Sequence, residues 1–234
     1  PGDIDHPLIS LVLRGQSNLQ PSGQRRVLGI RLQLLRKLAS ANASSLRHLS
    51  NHNTRDSRYC AGFVLAYWFL LRIPSELLVL RRGQLSIGKR NEVYIRLHKR
   101  KNTKTPVTLV RYCACRETQP SVCPHTHAEH LLLSSRTGNV AASDLLFDGI
   151  TANSMRQHLR DTLAVVGIEN PDVYGLHSFR RGHATDLAEH AASPATILQM
   201  GGWRSAAFRA YLDLPEVEAR AAAMIVLNES SDEE

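Results

Sequence analysis

HSFRRGHATDLAEHAASPATILQMGGWRSAAFRAY, residues 177–211, decides how this chain is read. It opens with His177 and Arg180, three residues apart at the start of a helical pattern. Positions at that spacing share one helix face, so an imidazole and a guanidinium can converge on one anion. A helix N-terminus also favours negative charge. Ser193-Pro194 is an N-cap with proline at the first helical position, which predicts a helix over 194–200 that stops at Gly201. Trp203 and Tyr211 follow. Arginine offers forked donors to a phosphate, histidine moves a proton near neutrality, and indole N–H only donates. A tyrosine is a potential covalent nucleophile. Taken singly, each residue has a plainer reading: Arg180 as a solvated helix charge, His177 as a cap, Trp203 and Tyr211 as core. The combination, in this order, is far more specific.

Together these residues resemble the C-terminal signature of the tyrosine recombinases, the phage-integrase family: His-x-x-Arg, then Gly-Trp, then the nucleophilic tyrosine. The form with Trp203, Ser205, Phe208 and Tyr211 is similar to eukaryotic mobile-element members such as Cryptons and DIRS-type elements. The resemblance implies a catalytic domain that is mostly α with a small antiparallel β-sheet, an α+β fold. It implies DNA cleavage and rejoining, for site-specific recombination or transposon integration, through a 3′-phosphotyrosyl link made by Tyr211. In that chemistry Arg72 and Arg180 hold the non-bridging oxygens and His177 and Trp203 add donors. His177 also takes the proton of a phenol whose pKa is about 10. No cofactor is required. The implied partners are double-stranded DNA and further copies of the chain, as a dimer or tetramer on DNA. The implied location is the nucleus for a mobile-element origin, and otherwise the cytoplasm, on DNA. A type IB topoisomerase is the nearest rival, but that family tends to carry lysine where this chain has His177. A non-catalytic DNA-binding protein derived from a mobile element is the other.

LLRIPSELLVL, residues 70–80, resembles the family's first catalytic-arginine motif. Four apolar residues precede Arg72 and Pro74 follows closely, which suits a buried anion site better than a surface charge. Pro74 begins a helix expected over 74–80, with Ser75 and Glu76 as supporting residues in its first turn. The family places its acidic residue three positions after the arginine; here Ser75 stands there and Glu76 comes fourth. Residues 93–97 and 106–112 alternate as strands around the basic turn HKRKNTKT, residues 98–105, which predicts a hairpin. By resemblance the hairpin carries a catalytic lysine that protonates the leaving 5′ oxygen. Lys99, Lys101 and Lys104 compete, and the Arg100–Asn102 tract matches best with Lys101. Lys99, Arg100, Lys104, Arg181 and Arg204 are then expected DNA contacts.

Between hairpin and helix lie Cys113, Cys115, Cys123, His125 and His127. This set could hold a structural zinc, although Cys-x-Cys is not the common knuckle spacing. The alternative is small buried thiols and the cap of a helix running to Leu133. A zinc-organised interaction module would rest on this loop alone.

Amphipathic helices are predicted over 27–39, 54–71, 151–166 and 216–227, and a short one over 9–13. A Gly/Ser/Pro/Gln-rich linker occupies 15–24. The expected organisation is an N-terminal segment and linker over 1–24, a catalytic domain over 25–227 and an acidic tail over 228–234. Recombinases of this family usually carry a helical DNA-binding domain before the catalytic one, and almost none of it fits here. The chain is therefore expected to be a truncated or a reduced protein. With 29 Lys and Arg against 21 Asp and Glu, the net charge is +8, and the last residues are acidic, so the body is basic. That suits a polyanion partner. No apolar run reaches membrane-spanning length.

Overall fold

The computed structural model describes residues 27–46, 55–101, 103, 105–115, 120–134, 141–204, 209 and 212. The segments expected over 1–24 and 216–234 lie outside these residues, as do Lys104, Ser205, Phe208 and Tyr211.

Helix α1 spans Leu32–Leu46, five residues later than its periodicity suggested. The residues before it run extended: the Leu28 N–H donates to the Val173 carbonyl and the Ile30 N–H to that of Ser178, both at 2.9 Å. Apolar spacing carried the expected helix across this segment, but tertiary pairing wins. A glycine makes the pairing possible. A Cβ at Gly182 would stand 1.8 Å from the Ile30 oxygen, so only glycine admits the strand-like segment here.

Helix α2 (Arg55–Trp68) is buried almost all round, from Tyr59 to Tyr67, and forms the axis of the domain. A helix apolar on every side belongs in a core. Strands β1 (Leu85–Ile87), β2 (Val93–Leu97) and β3 (Val107–Arg111) form one antiparallel sheet in the order β1-β2-β3. The hairpin β2–β3 pairs Ile95 with Leu109 and Val93 with Arg111. Strand β1, at three residues, is too short for alternation to reveal it.

Helix α3 (Pro124–Ser134) follows the cysteine loop, and α4 (Ala152–Val165) is capped by the Thr151 side chain on the Ser154 N–H. Helix α5 (Ser178–Glu189) carries Arg180, and α6 (Pro194–Gly201) is capped by Ser193 on the Thr196 N–H. The domain is mostly helical with a small antiparallel sheet, the expected class.

One apolar cluster joins α2 to the sheet and to α5 through Phe63, Ile95, Leu97 and Phe179, with the Phe63 and Phe179 rings stacked at 4.9 Å. A second, smaller cluster holds Leu70, Ala184, Ile197 and Leu212. Each fully buried Leu, Ile or Phe contributes roughly 1.5–3 kcal/mol. Across the α1–α5 contact, Asp186 accepts from the Arg31 guanidinium, the Tyr67 hydroxyl and the Leu32 N–H, while Glu189 also pairs with Arg31. These bonds fix α5, and with it Arg180, against α2.

Candidate active site

The site is built around a main-chain turn. Helix α2 ends at Trp68, three residues before the expected Leu71, and Leu70 turns left-handed with φ 51. A non-glycine residue held there costs about 1–2 kcal/mol, a strain that accumulates at functional sites. The Leu70 carbonyl accepts from two guanidiniums, Nη1 of Arg180 and, at 3.4 Å, Nη2 of Arg100.

Arg180 is fully buried, and its Nη2 also donates to the Gly201 carbonyl at 3.0 Å. Its Cζ lies 4.6 Å from the Trp203 ring centre, a cation–π contact. The Gly-Gly-Trp run now has a physical reason. A Cβ on Gly201 would fall within 1.6 Å of the Trp203 ring, so glycine lets the indole fold over the helix end toward Arg180. Gly202 closes α6 in the left-handed region at φ 64, and a Cβ there would meet the Arg100 Nε at 2.8 Å.

Arg72 stands at the other side of the Leu70 turn. The expected helix over 74–80 is instead a single wide π turn, Ile73–Leu77, in which the Leu77 N–H reaches the Arg72 carbonyl at 3.2 Å and Leu78 that of Ile73 at 3.0 Å. Such turns insert one residue into a helical turn. Here that extra residue compensates for the late acidic position. Glu76 is buried, takes the Arg72 N–H at 2.8 Å and pairs with the Arg72 Nη1 at 2.6 Å. Ser75, expected as a second support, is exposed on the turn.

Two expected DNA contacts are inside the protein. Arg100 is only 2% exposed; its Nη2 donates to the Met200 carbonyl at 3.1 Å and its Nε lies 3.7 Å from Glu76. Desolvation lowers its pKa, Glu76 opposes that, and Arg72 adds to it. Arg181 is likewise buried and donates to the Leu212 carbonyl at 3.1 Å. Both donate to main-chain carbonyls, as Arg180 does, where exposed side chains had been expected. The basic composition of their tracts concealed this, because Arg-Lys-rich sequence reads as surface. Lys99, Lys101 and Arg204 are exposed, so Lys101 sits at the tip of the hairpin and Arg100 points in from it.

His177 is the residue before α5 and opens to solvent, with no side-chain cap bond. Partial desolvation, then the charges of Arg180 and Arg72, hold its imidazole below the ordinary value. An imidazole with its pKa lowered in this way favours the neutral form, which can accept a proton. Tyr211 lies outside the described residues. Its neighbour Leu212 is buried in the same cluster as Leu70.

The sequence matches the phage integrase family over residues 36–214, which include all of this geometry. The chain belongs to the phage integrase family. The family chain matches no curated protein. Its fold is similar to that of a XerH site-specific recombinase solved bound to palindromic difH substrate as a post-cleavage complex, with a TM-score of 0.60 and 15% identity over 82% of this chain and 51% of that one. A pre-cleavage XerH complex with difH gives a TM-score of 0.57 and 14% identity over 78% and 49%. The integrase chain thus spans about half the length of these structures.

The expected metal-ligand set lies between β3 and α3. Cys113, Cys115 and Cys123 bring their three sulfurs within 4.8 Å of one another. His125 is partly exposed on the first turn of α3. His127 is buried, donates from Nε2 to the Ser121 carbonyl at 2.7 Å, and is pushed down to about 4 by that burial. No helix among the described residues is long and apolar enough to cross a membrane.

The sequence missed two parts of the site. The Leu70 carbonyl has no side-chain signal at all. Strand alternation misplaces Arg100, because continued from Leu97 it turns residue 99 inward and residue 100 outward, whereas Lys99 is exposed and Arg100 is buried.

Proposed function

We propose that the chain cleaves and rejoins double-stranded DNA by transesterification. The observation that carries this reading is the fixing of Arg180 by the Leu70 and Gly201 carbonyls and of Arg72 by Glu76, with His177 at the head of the helix that carries Arg180. Guanidiniums fixed before the reaction stabilise charge that develops on a phosphate, with no reorganisation at the moment of attack. The Tyr211 oxygen attacks the phosphorus, the bond to the 5′ oxygen breaks, and a 3′-phosphotyrosyl ester forms. His177 accepts the phenolic proton, Trp203 covers Arg180, and Lys101 gives a proton to the departing 5′ oxygen. Bond energy stays in the ester, so the reverse step needs no nucleotide.

The substrate reading extends to site-specific recombination or integration of a mobile element of the Crypton or DIRS type, with the nucleus as workplace. Its support is the spacing of Trp203, Ser205, Phe208 and Tyr211. On DNA the working unit is a dimer or tetramer, with residues 216–227 passed to a neighbour as an amphipathic helix. The test is a nicked suicide duplex from which the 5′ fragment diffuses away. The wild-type chain should remain covalently on the DNA. Tyr211→Phe should bind the duplex with unchanged affinity and form no adduct. A Phe variant that still forms the adduct sinks the assignment of the nucleophile.

A further inference from the structure

The cysteine loop has geometry of its own that DNA chemistry does not use. Cys113 and Cys115 follow the end of β3, and Cys123 immediately precedes α3. The Cys113 and Cys123 sulfurs are 3.7 Å apart, far beyond the roughly 2.0 Å of a disulfide. A tetrahedral metal with bonds of about 2.3 Å to sulfur requires sulfurs about 3.8 Å apart. The third sulfur, that of Cys115, completes a triangle within 4.8 Å. The Ala114 N–H points at the Cys123 sulfur at 3.3 Å, the kind of outer bond that steadies a metal-bound thiolate. By contrast Cys60, the remaining thiol, is buried alone in α2.

We propose that Cys113, Cys115 and Cys123, with His125 as the fourth ligand, hold one zinc ion that clamps the end of β3 to the start of α3. His125 is the imidazole nearest to Cys123 in sequence, two residues past it on the first helical turn, and it is partly exposed. His127 is buried, donates Nε2–H to the Ser121 carbonyl, and does not join the group formed by the three sulfurs. Zinc displaces the thiol protons and is held as a closed structural site, with no position for a reacting water.

The clamp lies directly behind the active-site turn. Arg111 Nε, at the end of β3, donates to the Trp68 carbonyl at 2.6 Å. The Trp68 indole N–H donates to the Val122 carbonyl at 2.7 Å, next to Cys123. Both bonds hold the end of α2, two residues before the Leu70 carbonyl that anchors Arg180 and Arg100. Zinc therefore steadies the Leu70 turn from outside the pocket.

The experiment is metal analysis of the full chain purified without chelator, followed by cobalt substitution and thermal melting. One zinc per chain is expected, with a sulfur-to-cobalt charge-transfer band and the intense visible absorption of tetrahedral cobalt. Chelation should lower the melting temperature by roughly 10 °C. Cys113→Ser and Cys123→Ser should lose the metal, while Cys60→Ser and His127→Asn keep it. His125→Ala should bind cobalt at least tenfold more weakly; unchanged affinity would overturn His125 as the ligand. A metal-free chain with no cobalt band, or a Cys113–Cys123 disulfide by mass spectrometry of the unreduced protein, would overturn the site as a whole. Should a serine variant fail to fold, cobalt titration of the reduced wild-type chain still decides between these results.

Discussion

The floor of the pocket and the tip of the β2–β3 hairpin carry the same kind of charge in opposite ways. On the floor, Arg180 and Arg100 are buried and share the Leu70 carbonyl, while Glu76 neutralises Arg72 and faces Arg100. At the tip, Lys99 and Lys101 are exposed. The floor is preorganised: its cations have their geometry before DNA arrives. The lysines of the tip face solvent. An arginine suits the first task because its planar fork binds two carbonyls at once, and a lysine suits the second because its flexible stem follows a leaving group.

Substitution on either side sharpens this contrast. Arg100→Ala should destabilise the fold by about 3 kcal/mol, since it strips a buried partner from Glu76 and from two carbonyls. Lys101→Ala should change stability by less than about 0.5 kcal/mol. Denaturant midpoints for the two variants check this, and equal losses would erase the distinction between floor and tip. Lys101→Ala should instead slow cleavage, and a 5′-bridging sulfur in the DNA, a better leaving group, should restore it. If Lys99→Ala or Lys104→Ala shows that rescue, the proton donor has been misplaced within the turn.

A pH effect comes next. His127 and His183 are buried and pushed down to about 4 and about 3, in both cases mainly by burial; Arg111 adds to the effect at His183 and His130 at His127. Both folded values lie below the ordinary 6.5. Between them the unfolded chain binds protons that the folded chain refuses. The stability is therefore complete above pH 6.5 and is lost as pH falls toward 4. Each histidine contributes a slope of up to about 1.4 kcal/mol per pH unit. Urea midpoints should fall accordingly between pH 7 and 5, and His183→Asn should flatten the curve. An unchanged midpoint would show that these rings are not buried neutral.

A smaller loss than that of Arg100→Ala is expected at the edge of the floor. Gly202→Ala should cost about 1–2 kcal/mol, because its left-handed backbone disfavours a side chain and the methyl meets Arg100. A loss confined to Gly202→Ala stability, with cleavage unchanged, would mean that Arg100 has slack the floor model denies it.

Side chains that act in sequence order were legible. Arg72, His177 and Arg180 are named by motif, and the spacing of the last two puts them on one helix face. The helices α2 to α6 and the hairpin were also readable, because apolar period, proline and serine caps and a basic turn are local signals. What escaped was set by main chain and by tertiary contact. Nothing in LLRIP announces a left-handed Leu70 or a π turn. The extended run before α1 kept a helical apolar pattern and yielded to the contact between Ile30 and Gly182. Arg100 and Arg181 sit in basic tracts, and only a neighbouring carbonyl distinguishes a buried arginine from a solvated one.

The central claim is that the buried arginine neutralises charge on the scissile phosphate. It is tested most directly by single-turnover cleavage of two suicide duplexes that differ only at that position, one with the natural phosphate and one with an uncharged methylphosphonate. On the phosphate, Arg180→Ala should react at least about a hundredfold more slowly than the wild-type chain. On the methylphosphonate, where no negative oxygen remains to be held, the variant should react nearly as fast as wild type. An equal loss on both duplexes would contradict the account, and would make Arg180 a scaffold residue only.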